Sequence, residues 1–178
     1  DLITHSAQHL LGTDKLGRDM LSRIIFGARI SLLVGASTVA LSLLIGVGVG
    51  SLSGYVGGIP DLLFMRLIDI LMAFPGILLA IAFSAVLGPG LDHVILALAL
   101  IGWTGYARLV RGEILSLRER DFISAARALG CRPQRIIVLH LLPNLLPPLL
   151  IQATFGLAAA IVAEGSLSFL GVGVSPPT

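Results

Sequence analysis

The sequence has 178 residues, 56% of them hydrophobic and 12% charged, with a formal net charge of +2 and a mean hydropathy of +0.98. A soluble domain carries about 25% charged residues, and a chain of this size buries only part of its apolar surface by folding on itself. The composition therefore excludes an ordinary water-soluble protein and requires lipid as a second solvent. One cysteine, Cys131, excludes a disulfide framework and suits a reducing compartment, and the four His show no metal-ligand spacing.

The segment 1–27 shows no secretory signal pattern. The chain begins without Met and ends at GVSPPT just after an apolar run, so a fragment is expected. Its one Lys, Lys15, lies in SAQHLLGTDK, which lacks the spacing of a phosphate-binding loop, so ATP hydrolysis by that route is not expected. HExxH, CxxC and GxSxG patterns are also missing, which leaves zinc hydrolysis and an elbow-type serine nucleophile without support. No catalytic residue, cofactor site or metal site is assigned.

A membrane-crossing helix needs about 20 mainly apolar residues. Residues 30–52, ISLLVGASTVALSLLIGVGVGSL, carry no charge and form the first expected span. Gly46, Gly50 and Gly54 recur every four residues, as in a ridge that lets two helices approach closely; glycine's general frequency in membrane helices is the alternative. The second span is expected over 63–87, with Asp69 near its start and Pro75 inside. The third, LDHVILALALIGWTGYARLV, is uncharged only over 94–107, short enough for a buried or re-entrant helix unless Asp92 and Arg108 snorkel to opposite interfaces. The fourth is expected over 145–163, entered through Pro143, Pro147 and Pro148 and followed by Glu164. Membrane strands are about 9–11 residues long and alternate; these runs are longer and apolar all round. The expected fold is all-α and polytopic, one transmembrane domain over 1–178 with four spans.

Seven arginines, Arg108, Arg111, Arg118, Arg120, Arg127, Arg132 and Arg135, fall between the third and fourth spans. At roughly 2.5–3.5 kcal/mol each at mid-membrane they would together cost on the order of 20 kcal/mol. The positive-inside rule places this segment in the cytoplasm with the GYVGGIPD turn, and GPGLDH and 1–27 outside. Lys15, Arg18, Arg23 and Arg29 oppose that last placement, partly balanced by Asp14 and Asp19.

Within the cytoplasmic loop, 116–143, DFISAARAL reads as a short helix with Asp121 as N-cap and Gly130 as its stop. Phe122, Ala125, Ala126 and Leu129 share one side, opposite Arg127. A second helix, PQRIIVLHLL, starts on Pro133 and is expected to end before Pro143. The narrow, alanine-rich face suits a protein groove better than a membrane surface. With Phe122 as its lone aromatic, the loop is a poor nucleic-acid binder. Asp69 and Glu164, in or beside spans, are candidates for a translocation pathway, with an interfacial position as the plainer reading of Asp69. His140 reads as a loop or interface residue.

Ser124-Ala125-Ala126, Gly130 and Leu142-Pro143 stand at the spacing of a known signature: Glu-Ala-Ala, three residues, Gly, nine residues, Ile-x-Leu-Pro. The chain resembles the permease subunits of binding-protein-dependent ABC importers, with Ser124 in place of the Glu and His140 in place of the Ile. LLGTDKLGRDMLSRIIFGARISL, DILMAFPGILLAI, GWTGYARLVRGEILSLRERDF and SLSFLGVGV are similar to the second permease of the dipeptide, oligopeptide and nickel branch. The resemblance implies a type I importer permease fold, of whose usual six spans the four here are the middle ones, in a bacterial or archaeal plasma (inner) membrane. It implies a coupling loop, formed by Asp121, Phe122, Ser124, Ala125, Ala126, Leu129, Gly130, Leu142 and Pro143, seated in a separate ATPase subunit that binds ATP and Mg. A second permease and an external solute-binding protein are the other implied partners, the latter docking near 88–93 and the residues after Glu164. The competing expectation is an ion-gradient-driven transporter or channel fragment using Asp69 and Glu164.

Overall fold

The computed structural model describes residues 11–13, 17–88 and 90–171; Lys15, Pro89 of the 88–93 loop and the VGVSPPT end past residue 171 lie outside the described residues. The described residues form seven α-helices: α1 Met20–Val56, α2 Gly58–Ala73, α3 Gly76–Leu87, α4 Leu91–Leu117, α5 Asp121–Ala128, α6 Pro133–Ile136 and α7 Leu142–Phe169, with a π-helical turn, Ile137–Leu141, between the last two. The all-α expectation holds among the described residues, whose only bridge pairs Thr13 with Asp19.

α1 begins where Asp19 Oδ2 accepts the Ser22 N–H at 2.9 Å, which satisfies one of the free donors of the first turn. Its 37 residues measure about 55 Å at 1.5 Å per residue, well beyond a hydrocarbon core of about 30 Å. The surplus carries Arg23 and Arg29 clear of the uncharged stretch 30–52.

The second expected span is broken. α2 and α3 meet at an angle of 91° across Phe74 and Pro75. Pro75 has no N–H and holds the preceding residue extended, and Phe74 lies at φ −94°, ψ 143°. The third span, for which a buried helix, a re-entrant one and a full crossing stood open, is a continuous 27-residue helix at the centre of the bundle, buried and not re-entrant. Half of its most apolar window is buried, against 28% for α1 and 17% for the helix Pro133–Phe169. Its charges misled the hydropathy reading because carboxylates on another helix neutralise them: Arg108 pairs with Asp69 and Arg111 with Asp61, both on α2. Among the described residues three helices are long and apolar enough to cross a membrane, and four when α2 and α3 count as one broken span.

The fourth span also differs from expectation. No break precedes Pro143; α6, the π-helical turn and α7 run on as one helix, Pro133–Phe169. Pro133 stands at the first turn of this helix, where a missing N–H costs little. The turn at 137–141 widens the ladder just ahead of Pro143, Pro147 and Pro148, which together remove three donors. Glu164, placed by the sequence just past the helix end, lies inside it.

The glycine ridge is a packing device. A Cβ built on Gly46 would stand 2.5 Å from Tyr106 Cβ, on Gly50 2.6 Å from Ala107 O, and on Gly54 3.0 Å from Arg111 O. Three turns of α1 thus lie backbone-to-backbone on α4, the close approach that small residues allow in lipid, where dispersion rather than water exclusion holds helices together.

Candidate functional site

The end of the bundle that carries the arginines gathers the close of α1, the start of α2, the close of α4, and α5 to α7. The positive-inside rule expects this end on the cytoplasmic side. α5 is held there by its buried face. Ile123 and Ala126, three residues apart, pack with Tyr106, Val110 and Ile114 of α4, Ile136 of α6 and Leu145 and Leu149 of α7. Fully burying an isoleucine is worth about 1.5–3 kcal/mol, so Ile123, 0% exposed, anchors this short helix to both long helices that flank it in sequence.

Two of the local expectations for this loop change. Asp121 is the first helical residue, not the N-cap; Arg120 takes that place, and no side chain caps the helix. Asp121 acts instead by its charge, since a carboxylate in a first turn is favourable beside the helix dipole. Ala126, expected on the partner-facing side, is 7% exposed and turned into the bundle. The outward face holds Phe122, Ser124, Ala125 and Leu129, with Leu129 84% exposed. Gly130 does end the helix: its φ of +76° is one that side chains resist, and its N–H reaches the Arg127 carbonyl at 2.9 Å.

Polar contacts tie the same helix ends together. Arg111 grips Asp61 with two nitrogens, Nη2 donating to Oδ2 at 2.7 Å, while Ser53 at the end of α1 donates to the same carboxylate. Arg118 Nη1 donates to the Gly54 carbonyl at 3.2 Å, and the Arg127 guanidinium sits 5.5 Å from the centre of the Tyr55 ring. α5 is thereby connected to α1 as well as to α4 and α7. Beside it a surface hollow of about 420 Å³ is bordered by Leu129, Gly130, Cys131, Arg132 and Arg135, an electropositive lip next to the exposed apolar face. Cys131 itself is half-buried against the core cluster.

Of the remaining expected site residues, Pro143 is exposed and Leu142 half-buried at the start of α7, and the His140 carbonyl accepts from Asn144 Nδ2 at 2.6 Å. Asp69 and Glu164 are not brought together. Asp69 pairs with Arg108, 17 residues and about 25 Å along α4 from its outer end. Glu164, 6% exposed, accepts from Ser31 at 3.0 Å and Ser168 at 2.8 Å near the opposite end of the bundle. Sequence reasoning missed Ile123, Tyr55, Asp61 and Arg111. The three-residue spacing of Ile123 and Ala126 was a legible sign of a buried face; nothing local pairs Asp61 with Arg111, 50 residues apart.

Residues 46–178 match the family described as the binding-protein-dependent transport system inner membrane component. A dipeptide transport system permease protein of Alkalihalophilus pseudofirmus is 47% identical over 97% of this chain and 57% of its own length. A di/tripeptide transport system permease protein of Pseudomonas aeruginosa is 45% identical over the same shares. A glutathione transport system permease protein of Pectobacterium atrosepticum is 42% identical, again over 97% and 57%. The chain thus spans a little over half the length of these curated relatives.

Proposed function

Because the chain belongs to the family of binding-protein-dependent transport system inner membrane components, we propose that it is a permease subunit of an ATP-driven peptide importer and that α5 is the element an ATPase subunit grips. The relatives named above are peptide and glutathione permeases, which supports the solute class. On this reading ATP and Mg are bound by the ATPase subunit, a second permease completes the pathway, and an extracytoplasmic binding protein delivers the solute. The chain itself catalyses no reaction.

One observation carries the coupling role: α5 has two different faces. Ile123 and Ala126 are locked into a cluster continuous with α4 and α7, while Phe122, Ala125 and Leu129 stay exposed beside a basic hollow. A helix so anchored moves as one body with the spans, so a push on its outer face becomes a displacement of α4 and α7 instead of a local loop motion. Coupling of this kind is reciprocal: ATP binding biases the bundle between inward- and outward-facing states, and a solute that favours one state biases ATP binding by the same factor.

The test is a photo-crosslinker attached at Leu129→Cys, in a Cys131→Ser background, in membranes holding the whole transporter. Leu129 is the better anchor than half-buried Cys131. The expected result is an adduct heavier by one ATPase subunit, formed from the cytoplasmic side. Labelling from the outside only, or no adduct with an ATPase, overturns the assignment.

A further inference from the structure

We propose that the cavity enclosed by α1, α3, α4 and α7 at mid-membrane depth binds a carboxylate group of the transported solute, held by the start of α3 with the hydroxyls of Thr38 and Ser42 and the side chain of Gln152. This rests on the reading of the chain as a solute permease and names a subsite within it.

The cavity measures about 320 Å³, near the lower end for small-ligand sites. Its depth follows from α4. Gly76 lies against Ile101, whose Cγ2 would be 3.5 Å from a Cβ built there. Ile101 is ten residues into α4, which is about 15 Å from the outer end, half of a core about 30 Å thick. The broken helix therefore restarts in the middle of the membrane.

At that depth unpaired donors are costly, and backbone breaks are tolerated where they are buried in protein or line a wet cavity. Gly76 and Ile77, the first two residues of α3, both line this one. Their N–H groups have no acceptor within the helix, Pro75 offers no side-chain cap, and the first helical bonds run from the Leu78 and Leu79 N–H groups to the Pro75 carbonyl.

The opposite wall gives an independent sign. Thr38 and Ser42 are 4% and 1% exposed and line the cavity, yet neither hydroxyl has a hydrogen-bond partner. A helical Ser or Thr has an easy fallback in the carbonyl three or four residues back, which Thr104, Thr154 and Ser166 all use. Thr38 and Ser42 do not. Gly102 opposite keeps room for the second of them, since a Cβ there would lie 2.7 Å from Ser42 Oγ.

Among the described residues no carboxylate and no cationic side chain lines the space. It presents the positive end of a helix, two free hydroxyls and an amide, which is the chemistry that receives an anionic oxygen pair. A discontinuous membrane helix aiming its N-terminus at a carboxylate is a recurrent solution in transporters. A peptide entering C-terminus first would present that group, and an amidated peptide would not.

The test uses the complete transporter in membranes with Cys131→Ser and either Ser42→Cys or Thr38→Cys, the second guarding against a folding failure of the first. Each is treated with methanethiosulfonate reagents bearing a sulfonate or a trimethylammonium group, read by mass spectrometry and normalised to each reagent's rate with free cysteine. The expected result is modification about tenfold faster by the sulfonate reagent, the preference of a helix N-terminus for negative charge. An acetylated dipeptide free acid should protect the cysteine, and its C-terminal amide should not. No modification by either reagent, equal rates, or equal protection by acid and amide each overturns the site. The Leu129→Cys adduct in the same membranes separates the two readings: an adduct without the charge preference removes the carboxylate site alone, while loss of the adduct removes the permease assignment.

Discussion

Replacing Gly50 by alanine adds one methyl group where α1 and α4 meet backbone to backbone. The new Cβ would stand 2.6 Å from the Ala107 carbonyl oxygen and 2.8 Å from Val110 Cβ, where ordinary contact begins at 3.4 Å. Relieving the first overlap needs about 0.8 Å of separation between the helices, by simple subtraction of those two distances. Both clashing neighbours are backbone or backbone-attached, so no flexible side chain can swing aside. Overpacking of this kind costs about 1–3 kcal/mol. Alanine also favours a helix over glycine by about 1 kcal/mol, and Gly48, on the same helix with nothing within 4 Å, isolates that gain. The difference between Gly50→Ala and Gly48→Ala is therefore the steric part alone. At roughly 2–4 °C per kcal/mol for a chain of this size, Gly50→Ala should melt several degrees below Gly48→Ala. The assay heats the detergent-solubilised transporter and follows loss of the monodisperse peak by size-exclusion chromatography. Gly46→Ala, at 2.5 Å, should fall at least as far as Gly50→Ala, and Gly54→Ala, at 3.0 Å, less far. If Gly50→Ala and Gly48→Ala melt together, α1 and α4 do not meet through their backbones and the packing argument fails.

The Arg111–Asp61 pair, with side chains 30% and 18% exposed, is sheltered but not sealed, so Asp61→Asn should cost about 1–2 kcal/mol, toward the low end for charge-assisted hydrogen bonds. In a double-mutant cycle, Asp61→Leu with Arg111→Leu should cost less than the two single changes summed; additive melting shifts would show that the two side chains do not act on each other. At Gly130, φ +76°, valine should cost about 1–2 kcal/mol of local strain and lower the amount of solute taken up per ATP hydrolysed. Asparagine, which tolerates that conformation, should keep the ratio near that of the unaltered protein, and equal loss with both would place the effect elsewhere than in the backbone.

How far the sequence carried each part depended on the range of the physics involved. The lipid solvent, the all-helical class and the first span follow from composition and uninterrupted apolar length, which are properties of the chain in any fold. The start of the loop's second helix on Pro133 and the stop at Gly130 were equally local, because a missing N–H and a left-handed φ are set by single residues. The signature spacing through Ser124, Ala125, Gly130 and Pro143 singled out the 116–143 loop before any contact was known.

What remained depended on neighbours distant in sequence. Hydropathy undervalued α4 because it prices Arg108 and Arg111 as if lipid surrounded them, whereas Asp69 and Asp61 neutralise them from another helix. It read 63–87 as one rod because apolar length is blind to direction, and only the bundle turns the Pro75 break into a 91° bend. Ala126 shared a helical face with Phe122 by spacing, but packing against α4 and α7 divided that face between core and surface. The glycine ridge was visible as a pattern; that its partner is Tyr106, Ala107 and Arg111 was decided by the fold. The cavity had no trace in the sequence, because a void is a property of four helices meeting and of none of them alone.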